Sequence, residues 1–325
     1  MSEAVLEPDL PILDAHHHLW LARGAAAPYT IDDLRADTGS GHRVVQTVFV
    51  ECHSQYRTDG PEELRPVGEV AWVAAVAEEA DQRGDGPPIA GIVGHADLTL
   101  GTAVQRVIEA LDDAGRGRFV GVRHNTAWDE TPMGNNAARG GILAEEAFRD
   151  GVRTLGRLGF TYDAMAYHTQ LGDLAALAQA CPEVRIVVNH LGIPLAGGPY
   201  RGRADEVRAQ WRAGLAAVAA CPNAVLKIGA LIRPLTGDKW DRRGQLASSA
   251  EIAAAWRDEV RFAIDTFGPS RCLFESNFPV DKACYGYVEL WNAFKRMTSD
   301  CSADDKRHLF HDAAARAYRL STLDG

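Results

Sequence analysis

The sequence predicts an α/β chain folded as a (β/α)8 TIM barrel with extra C-terminal helices. Three observations predict it. Short β-branched or apolar runs alternate with longer stretches of helical period, there are eight such runs, and the loops that follow them are much longer than the turns that precede them. Alternation of this kind implies parallel strands joined by crossover helices, with both faces of each strand buried. Eight units of roughly 35 to 40 residues suit a closed barrel. A doubly wound open sheet is the competing architecture.

The strand-like runs lie at 12–15, 44–50, 89–95, 119–123, 161–166, 185–189, 225–228 and 272–274. Helical patterns fall between them at 68–81, 102–113, 146–158, 171–180, 204–220 and 250–267, and two more at 287–297 and 303–318 close the chain. The helix-to-strand turns are tight: Cys181-Pro182, Cys221-Pro222 and Gly268-Pro269 each stop a helix just before a strand. The strand-to-helix loops 125–145, 191–203 and 229–249 are long and rich in Gly, Pro and Asn, so they gather on one rim, where barrels of this kind carry their chemistry. No linker or low-complexity tract interrupts residues 1–325, which read as one domain.

Composition narrows the function. With 34 basic and 44 acidic residues the formal charge is −10, so an acidic surface repels nucleic-acid phosphates. At 46% apolar and 24% charged residues the chain can bury enough surface to fold, and no run reaches the ~20 apolar residues of a membrane span. The acidic start lacks the basic flank and apolar run of a signal peptide, and six dispersed cysteines without a C-x-x-C read as reduced, buried thiols. Both features point to a cytoplasmic protein. P-loop, dinucleotide-binding, G-x-S-x-G and H-E-x-x-H motifs are absent.

Eight of the 11 histidines sit at or just past a predicted strand: His16, His17, His18, His53, His95, His124, His168 and His190. Imidazole is a common zinc ligand and titrates near neutral pH. In Asp14-Ala15-His16-His17-His18, strand alternation points His16 and His18 one way and His17 the other. Two imidazoles aimed into a barrel mouth can chelate one ion, and His168 and His190, at successive strand ends, can face it too.

Several of these residues fall in a known pattern. Asp14-x-His16-x-His18, His168, Asn189-His190-Leu191-Gly192-x-Pro194 and Ser276-Asn277-Phe278-Pro279-Val280 occur in an order and spacing that resemble the amidohydrolase superfamily. Gly121-Val122-Arg123-His124 and Ala313-x-x-Arg316-x-Tyr318 are similar to its branch of lactone-hydrolysing enzymes, such as fuconolactonases and pyrone-dicarboxylate lactonase. The resemblance implies one divalent metal, zinc foremost, held by His16, His18 and His168. It also implies opening of a small cyclic ester that carries a carboxylate. One position departs from the pattern: the family usually has an Asp after the eighth strand as ligand and base, and here it is Asn277. An amide orients a water but cannot take its proton near pH 7, so Asn277 puts both the metal and the usual route to hydroxide in question.

Other groups can supply the base. His190, Glu51, Asp281 and Glu275, which shares a face with Asn277, are the candidates, with Asn277 as an orienting group. Glu51 or Glu275 could equally be tied up in a structural ion pair with Arg123 or Lys227. For an anionic substrate, Arg123, His124 and Lys227 are the expected contacts, with Arg233 and Lys282 in rim loops. Trp20, Tyr29, Trp128 and Trp240 are the expected apolar wall, with packing as the alternative for each. Cys52 faces away from Glu51 and His53, which excludes it as a nucleophile. Beside lactone hydrolysis stand two alternatives: decarboxylation of a small aromatic or cyclic acid, and a non-catalytic barrel that binds a metabolite. The expected partner is a small organic anion, and self-association into a homo-oligomer is compatible with the fold.

Overall fold

The computed structural model describes residues 3–24, 26–131, 136–235, 240 and 244–322. Parts of the rim loops 125–145 and 229–249, and the first two residues of the acidic start, lie outside the described residues. Eight parallel strands pair in sequence order: β1 (Ile12–His17), β2 (Val44–Val50), β3 (Ile89–Gly94), β4 (Phe119–Asn125), β5 (Thr161–Met165), β6 (Ile186–Val188), β7 (Ala224–Ile228) and β8 (Cys272–Phe274). Most are short, largely apolar and buried on both faces, because helices cover the outside and side chains fill the inside, while β1 and β4 end in polar residues toward the rim. Closure comes from the segment just beyond β8. The Asn277 amide donates to the His16 carbonyl at 2.9 Å and the His18 amide to the Phe278 carbonyl at 2.8 Å. The seam between first and last strand is thus also where the site is built.

The outer layer comprises α2 (Val67–Arg83), α3 (Gln105–Gly115), α4 (Glu146–Leu158), α5 (Leu171–Ala180), α6 (Ala204–Ala219) and α7 (Ser249–Phe267). One helix escaped the sequence reading. Here called α1, it spans Ile31–Thr38 in the loop after β1, with Leu34 and Thr38 buried and a capping box between Thr30 and Asp33. Eight residues with three aspartates carry little apolar period, although the T-x-x-D start was legible. The predicted helix 102–113 begins in a 3-10 segment, Leu98–Val104.

At the C-terminal end α8 (Tyr287–Met297) packs beside α7, and the predicted 303–318 helix is realised in three parts. These are α9 (Ala303–Arg307), a π-helical turn at His308–Asp312 and α10 (Ala313–Tyr318). Ala313, Ala314, Ala315, Ala317 and Tyr318 pack on Leu13, Val48, Val93, Val187, Val225 and Leu273, so α10 plugs the end of the barrel opposite the rim. All six cysteines are free thiols, five of them buried. Among the described residues no helix is long and apolar enough to cross a membrane.

Several buried histidines are held neutral. Burial pushes His17 down to about 3 and His42 to about 4 from 6.5. A proton therefore binds the unfolded chain more tightly, so their stability contribution is intact above pH 6.5 and is lost as pH falls toward 4. Each such group is expected to tilt unfolding free energy by about 1.4 kcal/mol per pH unit in that window. His42 accepts from Lys295 Nζ at 2.9 Å. Urea unfolding of His42→Gln should show about 1 kcal/mol lost at pH 7 and a shallower decline below pH 6 than the parent chain.

Candidate functional site

The rim side of the barrel opens into a cavity of about 640 Å³ bordered by His18, Arg123, His190 and Asn277. His16 lies immediately beneath it. A register shift in β1 between Asp14 and His17 brings His16 to the interior, while Asp14 turns outward to accept from the Tyr287 hydroxyl at 3.0 Å. His17 points away and contacts Thr47 Oγ1 at 3.1 Å, as alternation required.

Glu275, fully buried, joins the histidines. Its Oε1 accepts from His190 Nδ1 at 2.7 Å and from the His190 amide at 3.2 Å, and its Oε2 stands 2.8 Å from His16 Nδ1. Burial opposes its charge, but His190 and Lys227 hold its carboxyl below the usual range. The protons here do not balance. His18 Nδ1 must donate to the Val50 carbonyl at 2.8 Å, which leaves its Nε2 bare in the neutral ring. His16 Nε2, 3.2 Å away, also lies 3.4 Å from Arg123 Nη1, which can only donate, so the single proton of a neutral His16 serves either His18 from Nε2 or Glu275 from Nδ1 and leaves the other acceptor unmet. Neither His16 Nδ1 nor Glu275 Oε2 makes a hydrogen bond. A second proton on His16 would satisfy both, yet burial and the nearby Lys227 cation hold its pKa far below 6.5. The ligand atoms of His16, His190 and Glu275 lie within 4.8 Å of one another. A divalent ion fits that donor set. The Arg123 guanidinium, 3.4 Å from His16 Nε2, works against it.

The other expected site residues divide. Asn277 borders the cavity at φ 55°, a left-handed conformation that Asn tolerates, and its Nδ2 donates to Asp281 Oδ1 at 2.7 Å. Asp281 is fully buried behind it, does not border the cavity, and is pushed by burial to about 8. Glu51 is the structural ion pair: its Oε1 accepts from Arg123 Nε at 2.7 Å, the Arg123 charge holds it low, and it does not border the cavity. A carboxylate so held is a poor base. His168 stands outside the ligand cluster. Its Nδ1 accepts from the Leu195 amide at 3.4 Å and its ring packs on Tyr200.

Three expected substrate contacts are corrected. Lys227 is fully buried on Asp163 at 2.8 Å, in a network with Asn189 and Tyr318 directed toward the plugged end. His124 alternates to the outside of the sheet, where its Nδ1 accepts from the Leu98 amide and its ring meets Phe148. Trp20 donates to the Ala27 carbonyl at 2.7 Å and packs on Tyr29, holding the loop after β1 together rather than lining the cavity. Tyr29, Trp128 and Trp240 do not line it either, and Lys282 is paired with Asp37. The apolar wall comes instead from Met165, Leu191, Ile193, Leu195, Ile232 and Trp256, and Arg23 joins Arg123 and Arg233 at the cavity. Isolated aliphatics in loops give no sequence signal.

Gly229 makes room for the cluster, since a Cβ there would lie 2.2 Å from Glu275 Cγ. Gly229→Ala should cost about 1 to 3 kcal/mol in chemical unfolding. It should also depress turnover more than Gly172→Ala does, a position with open space and ordinary helical backbone.

A family model described as Amidohydrolase matches residues 13–320. The chain is 28% identical over 322 residues to an L-fucono-1,5-lactonase of Burkholderia multivorans, spanning 95% of this chain and 96% of that one. A solved amidohydrolase from the same organism, with bound zinc, is 26% identical at a TM-score of 0.73 and covers 95% of this chain and 99% of its own. The 5-carboxyvanillate decarboxylase of Sphingomonas paucimobilis shares the fold at a TM-score of 0.58 and 12% identity, covering 96% of this chain and all of its own (100%). The chain belongs to the amidohydrolase family.

Proposed function

We propose that this protein hydrolyses a small lactone bearing a carboxylate in the rim cavity. The observation that carries the reading is the His16–Glu275–His190 cluster beneath a cavity bordered by Asn277 and three guanidinium groups, in a family whose relatives include lactonases.

Zinc is the ion that suits the cluster. His16, His190 and Glu275 would hold it, and it would polarise the lactone carbonyl or make a bound water more acidic. The residues themselves do the rest. Asn277, its Nδ2 committed to Asp281, keeps its amide oxygen free to accept from the attacking water. His190 has its Nδ1 proton fixed on Glu275, so its Nε2 lone pair is its one free basic site. That lone pair can bind an ion or accept the water's proton, and the carboxylate behind it supports either role, as in other carboxylate–histidine pairs. Arg123, locked by Glu51 beside His16, places a positive charge where the tetrahedral oxyanion forms.

The alternative of decarboxylation needs no attacking water and makes a different product. Over a panel of carboxylated lactones and aromatic acids, acid release without carbon dioxide is expected; carbon dioxide evolution would overturn the reading. Asn277→Ala should lower kcat by about 10²-fold with little change in KM, the scale for a lost hydrogen-bonding catalytic group. Unchanged turnover would remove its role.

A further inference from the structure

The sequence offers Asp281 as a base, but the structure sets it behind the cavity wall, where no substrate atom reaches it. What it does touch is Asn277. A line of hydrogen bonds runs from the backbone after β7 to the cavity. The Leu231 amide donates to the Tyr285 hydroxyl at 3.0 Å, that hydroxyl donates to Asp281 Oδ2, and Asn277 Nδ2 donates to Asp281 Oδ1 at 2.7 Å. An ionised carboxylate only accepts, so it takes the amino end of the Asn277 amide. The oxygen is then the end that Asn277 presents to the cavity it borders.

Among the described residues no cation pairs with this carboxyl. The titratable groups around it are Tyr285 and Cys284 of its own loop and Glu275 just past β8, while Trp240 packs on Tyr285 and brings no charge. Lys282, the next residue, is paired with Asp37 instead. Burial, with the Glu275 charge adding to it, pushes the Asp281 carboxyl up to about 8. In the neutral acid the Tyr285 proton still occupies Oδ2, so the added proton sits on Oδ1 and turns it into a donor. Asn277 meets a donor only with its oxygen. Half a turn of its amide about χ2 achieves this, because the oxygen and the amino group are close in size. The backbone need not move: the Asp281 amide donates to the Asn277 carbonyl at 3.3 Å across a single 3-10 turn, Val280–Ala283.

We infer that Asp281 is a positioning residue whose proton decides which end of the Asn277 amide faces the cavity: the oxygen when Asp281 is ionised, the amino group when it is neutral. The inference rests on the lactonase reading for what each end does there, but not for the inversion itself. The oxygen accepts from an attacking water. The amino group cannot, and offers a carbonyl or carboxylate a donor instead. Hydrolysis therefore belongs to the ionised state, which gains as pH rises through the folded-state value. The neutral state holds a substrate or its ring-opened acid without orienting the water.

Neutron diffraction from crystals of the full-length protein, equilibrated on either side of pH 8, tests the inversion without substrate. The Asn277 deuterons should lie beside Asp281 Oδ1 at the higher pH and toward the cavity at the lower. Deuterons beside Asp281 at both would overturn the inference. Kinetics supply the second arm. With a carboxylated lactone, kcat should rise about 10-fold between one pH unit below the inflection and one above it. In Asp281→Asn the new side-chain oxygen takes the Tyr285 proton and its amino group donates to Asn277. That holds Asn277 inverted at every pH, so kcat should stay at its low-pH level, KM should change little and the alkaline rise should vanish. Tyr285→Phe, which removes one donor to the carboxylate, should move the inflection to higher pH. An Asp281→Asn variant that keeps the rise would overturn the inference too. Inversion of the amide in a protein that opens no lactone would uphold the inference and reject the lactonase reading, so the two failures are separable.

Discussion

His16 has one proton to give and two acceptors to satisfy. His18 Nε2 and Glu275 Oε2 both face it within hydrogen-bond distance, and burial forbids the second proton that would settle the matter. The site is arranged around that deficit. It fixes the tautomer of His18 through the Val50 carbonyl, keeps Glu275 ionised, and leaves His190 with its proton on the carboxylate side. It also leaves His16, His190 and Glu275 grouped so that they could hold a metal ion, although Asn277 stands where the resemblance puts an aspartate.

The fold supports this arrangement at the seam of the barrel. Hydrogen bonds from Asn277 to His16 and from His18 to Phe278 close the sheet, so the backbone that joins the first strand to the last carries four of the site's residues. Strain is concentrated on the same rim. His53 and Gln55 after β2, His190, Leu191 and Ile193 after β6, Ala230 after β7 and Asn277 after β8 all have positive φ. Side chains held in such sparsely populated conformations recur at functional sites, where surrounding packing over-determines them. At the opposite end α10 and the Lys227–Asp163–Tyr318 network seal the interior, which confines ligand entry to the rim.

Most of the barrel was legible because burial on both faces writes most strands as largely apolar runs. The short, acidic α1 left too weak a period to be seen. Within the site, alternation put His16 and His18 on one face and turned His17 and Cys52 away, although a register shift in β1 is what brings His16 inward while Asp14 turns out. Alternation failed on depth. A strand pattern says which face a side chain takes but not how far along the barrel axis it sits, so Lys227 was placed at the rim although it pairs below it. It also says nothing of partners. Glu275 was recognised as a neighbour of Asn277, yet its position between two histidines depends on β6 and β8 meeting in space. His168 belongs to the right rim, but the loop after β5 turns its ring toward Tyr200.

On the proposed reading His16 and Glu275 hold the ion and His168 does not. Zinc content and affinity of the purified chain, measured beside His16→Ala, Glu275→Gln and His168→Ala, separate these roles. About one zinc per chain is expected, retained in His168→Ala and weakened at least 10-fold in the other two, the scale on which metal sites respond to altered coordination. Zinc lost in His168→Ala but kept in Glu275→Gln would contradict this assignment.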